Sequence, residues 1–197
     1  MQTALIILAA GESKRMGTVK QLLPIEGKSL LLRMIEEGLK TACYPISVVL
    51  GAHKAQIVPT LIDLPINLVD NSQWATGMAS SIRMGLVGTY LIEKNIDSVI
   101  IVPADMPFVT QTILEELVSR AELSTKKIIA CRYQGTLGVP VLFKRERFAD
   151  LLELKEDEGA RKLIAAHKEE VEIVDFPDGA IDLDTPEAYQ QFIFRQN

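Results

Sequence analysis

A loop that combines small residues with two cations is the strongest chemical signal in the chain. Residues 5–24 read LIILAAGESKRMGTVKQLLP, an apolar run that passes into Ala-Ala-Gly and then reaches Arg15 and Lys20. Small side chains let backbone N–H groups approach an anion. A charge-assisted hydrogen bond between such a cation and a phosphate contributes about 1.5 to 3 kcal/mol to binding. The segment therefore predicts a site for a polyphosphate, and the spacing of Gly11 and Gly17 fits neither a P-loop nor a dinucleotide-binding turn.

Acidic residues in two other segments have the chemistry of a magnesium site. The apolar run 98–102 ends in Pro-Ala-Asp-Met-Pro, which puts Asp105 at the carboxyl end of a predicted strand. Mg²⁺ commonly takes one or two carboxylates, waters and substrate phosphates, so Asp105 is a candidate ligand. A turn or capping role is the alternative for Asp105. Asp182 and Asp184 alternate along an extended segment, so either could face the same cleft while the other caps the next helix.

A third segment exposes backbone and hydroxyl groups near a predicted helix start. Residues 70–83 read DNSQWATGMASSIR, with Gly77, Ser80 and Ser81 close together. Such a composition suits a ligand that carries phosphates or base edges. The alternative is a capped helix with Trp74 as a core aromatic residue. Gly51, at the end of the second predicted strand, is a candidate for backbone contact with a base.

The elements that position these residues alternate between apolar strands and amphipathic helices. This pattern predicts the α/β class, with a mostly parallel sheet covered by helices. Strands are predicted near 4–9, 46–50, 66–69, 98–103, 127–133, 139–143 and 171–175. Helices are predicted from Ser29 to about 42, from 76 or 77 to 92, from Thr110 to 123, and over 145–154, 157–167 and 185–194, where Thr185 is the N-cap. The acidic turn 153–158 is expected to be solvated, with a position beside a site as the alternative.

Composition narrows the class of protein. The 197 residues fit one domain, and we predict a single domain over residues 1–197. A net charge of −5 without a stripe of Lys and Arg disfavours a nucleic-acid partner. Cys43 and Cys131 form no metal or redox pair. No apolar run approaches the roughly 20 residues of a membrane span, and the first residues lack a basic leader, so we expect a cytoplasmic protein without a membrane partner.

The loop of residues 8–24 resembles the signature LxxGxSxRMGxxKxLLP of nucleotidyltransferases that activate a phosphorylated acceptor with an NTP. Within that superfamily the chain resembles the MobA-like NTP transferases, and in particular their molybdenum cofactor cytidylyltransferase branch. The resemblance implies a three-layer, Rossmann-like nucleotidyltransferase fold. It also implies that Arg15, Lys20 and Asp105 act in catalysis, and that Asp105 and Asp184, rather than Asp182, hold Mg²⁺.

Three further segments carry the resemblance. Residues 71–81 match NxxWxxGMxxS, which contributes to the nucleotide and acceptor pocket in the family. Residues 138–143 resemble GxPVLF, although Val139 stands where relatives often have His. Residues 156–161 match GDxGAR except that Glu156 replaces the first Gly, and Arg161 is the last residue of the match. The resemblance implies that Arg161 binds the acceptor phosphate. The alternative is a salt bridge on the surface of a helix. The residues expected to bind substrates are Leu8, Ala9, Ala10, Gly11, Gly51, Asn71, Gly77, Met78, Ser81 and Arg161.

The expected reaction follows from this resemblance. Members with Ala-Ala-Gly in the first loop tend to use CTP, so we expect transfer of CMP from CTP to the terminal phosphate of molybdenum-molybdopterin, with release of pyrophosphate. The sequence offers no Ser-His or Cys-His pair, which favours direct displacement. A molybdenum hydroxylase is a possible client of the product. The alternatives are another nucleotidyltransferase, which uses GTP or acts on a sugar phosphate or phosphorylated small acid, and a non-catalytic cofactor carrier.

Overall fold

A seven-stranded sheet forms the centre of the computed structural model, which describes residues 1–196. Its strands are β1 (Thr3–Ala9), β4 (Ile46–Leu50), β5 (Asn67–Asp70), β6 (Ser98–Pro103), β7 (Ile128–Tyr133), β8 (Thr136–Lys144) and β9 (Val171–Asp175). Their order is β5-β4-β1-β6-β8-β7-β9. Strand β8 runs antiparallel to β6 and β7, and the other neighbours are parallel. The mostly parallel sheet expected from the sequence is confirmed.

Helices cover both faces of the sheet. The helices are α1 (Leu30–Leu39), α2 (Lys54–Ile57), α3 (Met78–Ile92), α4 (Gln111–Leu123), α5 (Phe148–Leu152), α6 (Ala160–Ala166) and α7 (Pro186–Gln196). Helices α1, α2 and α4 share one buried cluster with alternate residues of β1, such as Leu5 and Ile7. Helices α3, α5 and α6 share the other cluster with Ala4 and Ile6. Because successive side chains of a strand point to opposite faces, β1 contributes to both cores and the three-layer prediction is confirmed.

The register of the central strands brings three loops to one edge of the sheet. Ala9 is paired with Leu50, and Leu8 is paired with Pro103, so β1, β4 and β6 end at the same level. Backbone bonds then continue beyond the strands, with the Ala104 N–H donating to the Leu8 carbonyl at 3.0 Å. The loops that follow β1 and β6 are therefore neighbours, as expected for the ligand-binding edge of an open α/β sheet.

The predicted helix starts differ in how they are capped. The Ser29 side chain accepts from the Leu32 N–H, and Thr185 Oγ1 accepts from the Ala188 N–H at 3.2 Å, so both N-caps are confirmed. The prediction for Thr110 is wrong in its chemistry, because its side chain makes no capping hydrogen bond. Glu37 of α1 instead accepts from the Gln111 N–H at 2.7 Å. A carboxylate from another helix, and not the Thr110 hydroxyl, therefore caps the start of α4.

Several short elements of the structure were not predicted from the sequence. Strands β2 (Pro24–Ile25) and β3 (Lys28–Ser29) form a hairpin whose turn residues, Glu26 and Gly27, both have positive φ. This hairpin and α7 enclose a small third cluster around Ile25 and Phe192. The predicted helix over 145–154 is shorter, since α5 starts at Phe148 after one 3₁₀ turn. A search of residues 1–196 finds no helix with the length and apolar character of a membrane span.

Candidate active site

Four charged side chains from three loops meet at the carboxyl edge of the sheet. Lys20 Nζ donates to Asp105 Oδ2 at 2.5 Å and to Asp184 Oδ1 at 2.7 Å. Arg15 donates to the other oxygen of Asp184. The side chains of Lys20 and Asp105 are only 17% and 15% exposed, whereas that of Arg15 is 72% exposed. The structure therefore brings together the three residues predicted to be catalytic and the predicted second carboxylate.

Backbone contacts explain how distant segments reach this point. Asp105 follows β6, and its carbonyl accepts from the Leu183 N–H at 3.1 Å. Leu183 is fully buried in the small cluster formed with the hairpin and α7. The hydrogen bond and the burial of Leu183 hold the backbone next to Asp184. The side chain of Asp184 therefore lies against Lys20.

Charge interactions shift the pKa values of two groups here. Burial opposes the charged form of Lys20, but the carboxylates of Asp105 and Asp184 outweigh it and raise the pKa of the Lys20 ammonium above its usual value. Partial burial raises the pKa of the Asp182 carboxyl, and the negative charges of Asp184 and Asp105 raise it further. Lys20 is thus a firmly held cation, and Asp182 is the carboxylate whose negative charge is disfavoured.

Gln21 is a site residue that the sequence analysis did not single out. Its side chain is almost fully buried and lies under the loop that follows β1. Its Nε2 donates to the carbonyls of Ala9 and Gly11 at 3.0 and 3.1 Å, and its Oε1 accepts from Ser13 Oγ at 3.2 Å. The signal available in the sequence was weak: a polar residue between Lys20 and two leucines, where an exposed turn residue is equally reasonable.

A cavity of about 410 Å³ opens beside this loop. Its walls come from the loop after β1, the start of α3 and the end of β6. The predicted residues among them are Leu8, Ala10, Gly11, Lys20, Gly77, Met78, Ser81 and Asp105. Trp74, the single tryptophan of the chain, also lines it.

A second cavity, of about 550 Å³, adjoins the first and shares Leu8, Met78 and Asp105 with it. Asp182, Asp184 and Arg161 line this second space. Arg161 is exposed and donates to Tyr133 Oη at 3.2 Å. No carboxylate within residues 1–196 forms an ion pair with Arg161, so the salt-bridge alternative is not what the structure shows. Asp105 therefore lies between two cavities, one with the phosphate-type loop and one with a guanidinium that has no carboxylate partner among the described residues.

Three of the predicted binding residues lie behind the walls of these cavities. Ala9 faces the core cluster that includes α1 and α4. Gly51 packs so closely that an added Cβ would lie 2.6 Å from the Ala10 carbonyl and 2.7 Å from Trp74 Cβ. Asn71 is fully buried, and its side chain donates to Ser80 and Ser81. In this conformation Gly51 and Asn71 shape the cavity rather than contact its contents, because close packing holds one and buried hydrogen bonds hold the other.

Asp157 is a second residue that the sequence analysis did not place at the site. It lines both cavities, so the alternative position of the acidic turn 153–158, beside a site, is the one observed. The neighbouring Glu156 carbonyl accepts from the Ala79 N–H at 3.0 Å at the start of α3. Gly77, with φ of +112°, allows this approach, since a Cβ there would lie 2.3 Å from the Glu156 carbonyl oxygen.

The donor set fits a hard divalent cation. Oxygens of Asp105 and Asp184 already share one positive group, the Lys20 ammonium, so they border a position that a cation can occupy. Among the described residues no cluster of three or more His, Cys, Asp or Glu side chains has the arrangement of a complete metal site. Mg²⁺ suits such an incomplete protein site, because it completes its shell with waters and substrate phosphates.

The sequence is similar to those of a nucleotidyltransferase and, over a shorter stretch, of an oxidoreductase. The molybdenum cofactor guanylyltransferase of Vibrio atlanticus is 28% identical over 203 positions, which cover 97% of this chain and 95% of that protein. The nicotine blue oxidoreductase of Paenarthrobacter nicotinovorans is 40% identical, but over only 82 residues. That match covers 41% of this chain and 40% of the oxidoreductase, less than half of either protein.

A structural neighbour and a family model extend the comparison to the whole fold. A nucleotidyl transferase from Methanothermobacter superposes with a TM-score of 0.82 and covers 100% of this chain and 99% of its own. At 16% identity this likeness shows the shared fold alone. The family model for the MobA-like NTP transferase domain matches residues 5–171, from β1 to the start of β9. Since that match includes most of the sequence, the chain belongs to the MobA-like NTP transferase family.

Proposed function

We propose that this protein transfers CMP from CTP to the terminal phosphate of molybdenum-molybdopterin and releases pyrophosphate. The observation that carries the proposal is the meeting of Lys20, Asp105 and Asp184 where two cavities adjoin. One cavity offers the loop and Lys20, which suit a triphosphate, and the other offers Arg161, a cation without a carboxylate partner among the described residues, which suits the acceptor phosphate. Membership of the NTP transferase family and the similarity to a named molybdenum cofactor guanylyltransferase support nucleotide transfer to this cofactor, but not the choice of CTP.

The reaction is a direct displacement at the α-phosphorus. An oxygen of the acceptor phosphate forms a new P–O bond, and the bond between the α-phosphorus and the bridging oxygen breaks, so pyrophosphate leaves with the electron pair. The attacking phosphate is already anionic, and a strong general base is unnecessary. Catalysis is then positioning and charge neutralisation. Lys20 stabilises charge on the α-phosphate, and the more exposed Arg15 neutralises the departing pyrophosphate.

Asp105 and Asp184 are the proposed ligands of Mg²⁺. The ion, when bound, supplies positive charge that offsets the repulsion between the two carboxylates and the substrate phosphates. The same two carboxylates bind the Lys20 ammonium, which would turn towards the nucleotide if Mg²⁺ took its place. Asp184 is preferred over Asp182 because it already shares a cation with Asp105.

The choice of CTP rests on the resemblance in the first loop. Ala10 of this loop lines the 410 Å³ cavity but is buried, and its side chain packs in the cluster behind the loop, close to Gly51. Its Cβ therefore acts on the base site through the position of the loop. The similarity to a named guanylyltransferase favours GTP instead, so the base is the part of the proposal to test first.

Pyrophosphate release with each of the four NTPs tests the proposal. Purified protein is incubated with molybdenum-molybdopterin and Mg²⁺, and the product is identified by mass spectrometry. We expect turnover with CTP and a cytidine dinucleotide product. A clear preference for GTP rejects the assigned base but keeps the transferase, whereas transfer only to a sugar phosphate or phosphorylated small acid rejects the acceptor. Tight binding of nucleotide and pterin without pyrophosphate would identify a carrier.

A further inference from the structure

The side chain of Gln21 is held under the phosphate-type loop by hydrogen bonds to three residues. Its Nε2 donates to two carbonyls, those of Ala9 and Gly11, and its Oε1 accepts from the Ser13 hydroxyl. The same hydroxyl accepts from the Lys20 N–H at 3.3 Å. A single buried amide therefore connects the end of β1, the loop and the residue that carries the central ammonium. Gln21 is 1% exposed and lies at the wall of the 410 Å³ cavity, with its amide occupied by the loop.

The bonds from Gln21 fix the direction of two peptide groups. In a trans peptide the C=O and the N–H of the same unit point in opposite directions. Because the Ala9 and Gly11 carbonyls point at Gln21, the N–H groups of Ala10 and Glu12 point away from it. Both of those residues line the 410 Å³ cavity. The amide of Gln21 thus removes two carbonyl dipoles from the place where they would repel an anion.

The loop also keeps unused donors. The N–H groups of Gly11, Glu12 and Ser13 donate to no acceptor in the part of the chain that the structure describes. Ser13 has φ of +58°, a left-handed conformation that turns consecutive N–H groups towards one another. Consecutive N–H groups of this kind form a concave anion site.

We propose that Gln21 is a positioning residue that holds this loop with its N–H groups directed at the triphosphate. The inference rests on the proposed function, and it adds to it: Lys20 and Arg15 supply charge, while Gln21 supplies the shape of the loop. The amide is suited to the task because it donates twice and accepts once at the same place. A carboxylate cannot donate to the two carbonyls, and a thioether cannot donate at all and is only a weak acceptor for the Ser13 hydroxyl.

Two variants of similar size separate these contributions. Gln21→Met removes the hydrogen bonds without adding charge, and we expect the affinity for inorganic tripolyphosphate to fall about tenfold, the effect of one or two lost hydrogen bonds. Gln21→Glu places a negative charge under the loop and leaves the carbonyls facing an acceptor, so we expect a loss of about a hundredfold or more. Both affinities are measured by calorimetry without acceptor, and CTP should lose affinity by the same factor as tripolyphosphate.

Asn67→Asp is the matched control. The Asn67 amide also donates twice, to Ser47 and to the Gly88 carbonyl, but it lies on β5, away from the loop. The same change from amide to acid there should leave the affinity for tripolyphosphate within about twofold, because only local packing is affected. Equal losses in the Gln21 and Asn67 variants would show a general effect of destabilisation and overturn the proposal.

Wild-type protein gives a reading that does not depend on the variants. Addition of tripolyphosphate should shift the backbone amide resonances of Gly11, Glu12 and Ser13 in an NMR spectrum, while the Gln21 side-chain NH₂ resonance stays in place. Binding without any shift at these three amides overturns the proposal. Because every measurement is of binding, a wild-type protein that binds tripolyphosphate through this loop but never releases pyrophosphate would disprove the transferase and leave the role of Gln21 intact.

Discussion

The Lys20 ammonium lies 2.5 Å from the Asp105 carboxylate, although the two residues are 85 positions apart in the sequence. Lys20 follows the loop after β1 and Asp105 follows β6, so the contact depends on the parallel pairing of those strands. Asp184, from the segment before α7, binds the same ammonium. One cation therefore links the first loop, the centre and the end of the chain, and its removal affects all three.

Lys20→Met is expected to lower the rate of pyrophosphate release by about 10² to 10³, the usual loss for one charge-stabilising contact at a reacting centre. The variant should also melt at a lower temperature, because Asp105 and Asp184 then face each other without a cation between them. Turnover is measured at saturating NTP so that weaker binding does not hide the effect on the chemical step.

Lys54→Met serves as the control for Lys20→Met. Lys54 also pairs with a carboxylate, that of Asp70, but both side chains are about half exposed and lie outside the two cavities. Exposed pairs contribute little, so turnover should stay within about twofold and stability should change by less than about 1 kcal/mol. Unchanged turnover in Lys20→Met would show that Lys20 has no part in the reaction.

Asp184→Asn and Asp182→Asn are expected to differ in their effect on activity. Asp184 binds Lys20 and Arg15, whereas the structure gives Asp182 no ion pair among the described residues. We expect Asp184→Asn to lower turnover by about 10² or more and Asp182→Asn by less than about tenfold. Titration with Mn²⁺ should show weaker metal binding in the first variant. The opposite order in both measurements would identify Asp182 as the metal ligand.

Asp182→Asn is also expected to stabilise the protein at neutral pH. Partial burial and the charges of Asp184 and Asp105 raise the pKa of the Asp182 carboxyl above its unfolded value of 3.8. A group with a raised pKa favours the folded state below its unfolded pKa, and this advantage is lost as the pH rises through the folded pKa. At pH 7 the ionised carboxylate therefore carries a penalty that a neutral amide avoids.

Thermal unfolding measures this effect. The melting temperature of Asp182→Asn should exceed that of the wild type by a few degrees at pH 7, and the difference should shrink as the pH falls towards 3.8. A difference that stays constant over this range would trace the stabilisation to a cause other than the charge of Asp182. The comparison is made between variant and wild type at each pH, so the protonation of other carboxyl groups largely cancels.

The sheet was predictable because its signal is local. The buried runs of β1, β4 and β6 consist almost wholly of apolar residues, as strands covered on both faces do. The hairpin over residues 24–29 could not be predicted from the sequence, because each of its strands has only two residues and its stability comes from packing against α7. Likewise, the cap of α4 could not be found locally, because Glu37, which accepts from the Gln111 N–H, is 74 residues away.

The charged residues of the site could be predicted from the sequence. The residues that hold them or the loop in position were harder to predict. Arg15, Lys20, Asp105 and Asp184 come together as their motifs indicated, although their roles stay predictions. Gln21 was missed because two of its three partners are backbone carbonyl oxygens, which every residue has and which the sequence therefore does not mark. Asn71 was expected to face a ligand, yet its buried bonds to Ser80 and Ser81 depend on how α3 packs. Such supporting positions are decided by tertiary contacts.

Gly11→Ala adds a methyl group within the first loop, and Gly51→Ala adds the same group at a residue packed against it. At Gly51 the new Cβ would meet the Ala10 carbonyl and Trp74, both within 2.7 Å, so the loop must shift. We expect a loss of about 1 to 3 kcal/mol in the free energy of unfolding, as in other overpacked interiors. At Gly11 nothing lies within 4 Å of the new Cβ, and stability should change by less than about 0.5 kcal/mol.

The affinity for nucleotide should fall in Gly11→Ala even though the stability of that variant is nearly unchanged. Gly11 lines the 410 Å³ cavity, so its new methyl group occupies space that the proposed triphosphate uses, and we expect the Kd for CTP to rise about tenfold or more, as when backbone donors are kept from an anion. The fluorescence of Trp74, which lines the same cavity, reports the binding directly. A stable Gly11→Ala protein that binds CTP as tightly as the wild type would mean that the nucleotide does not lie against this loop, and the proposed roles of Arg15 and Lys20 would fall with it.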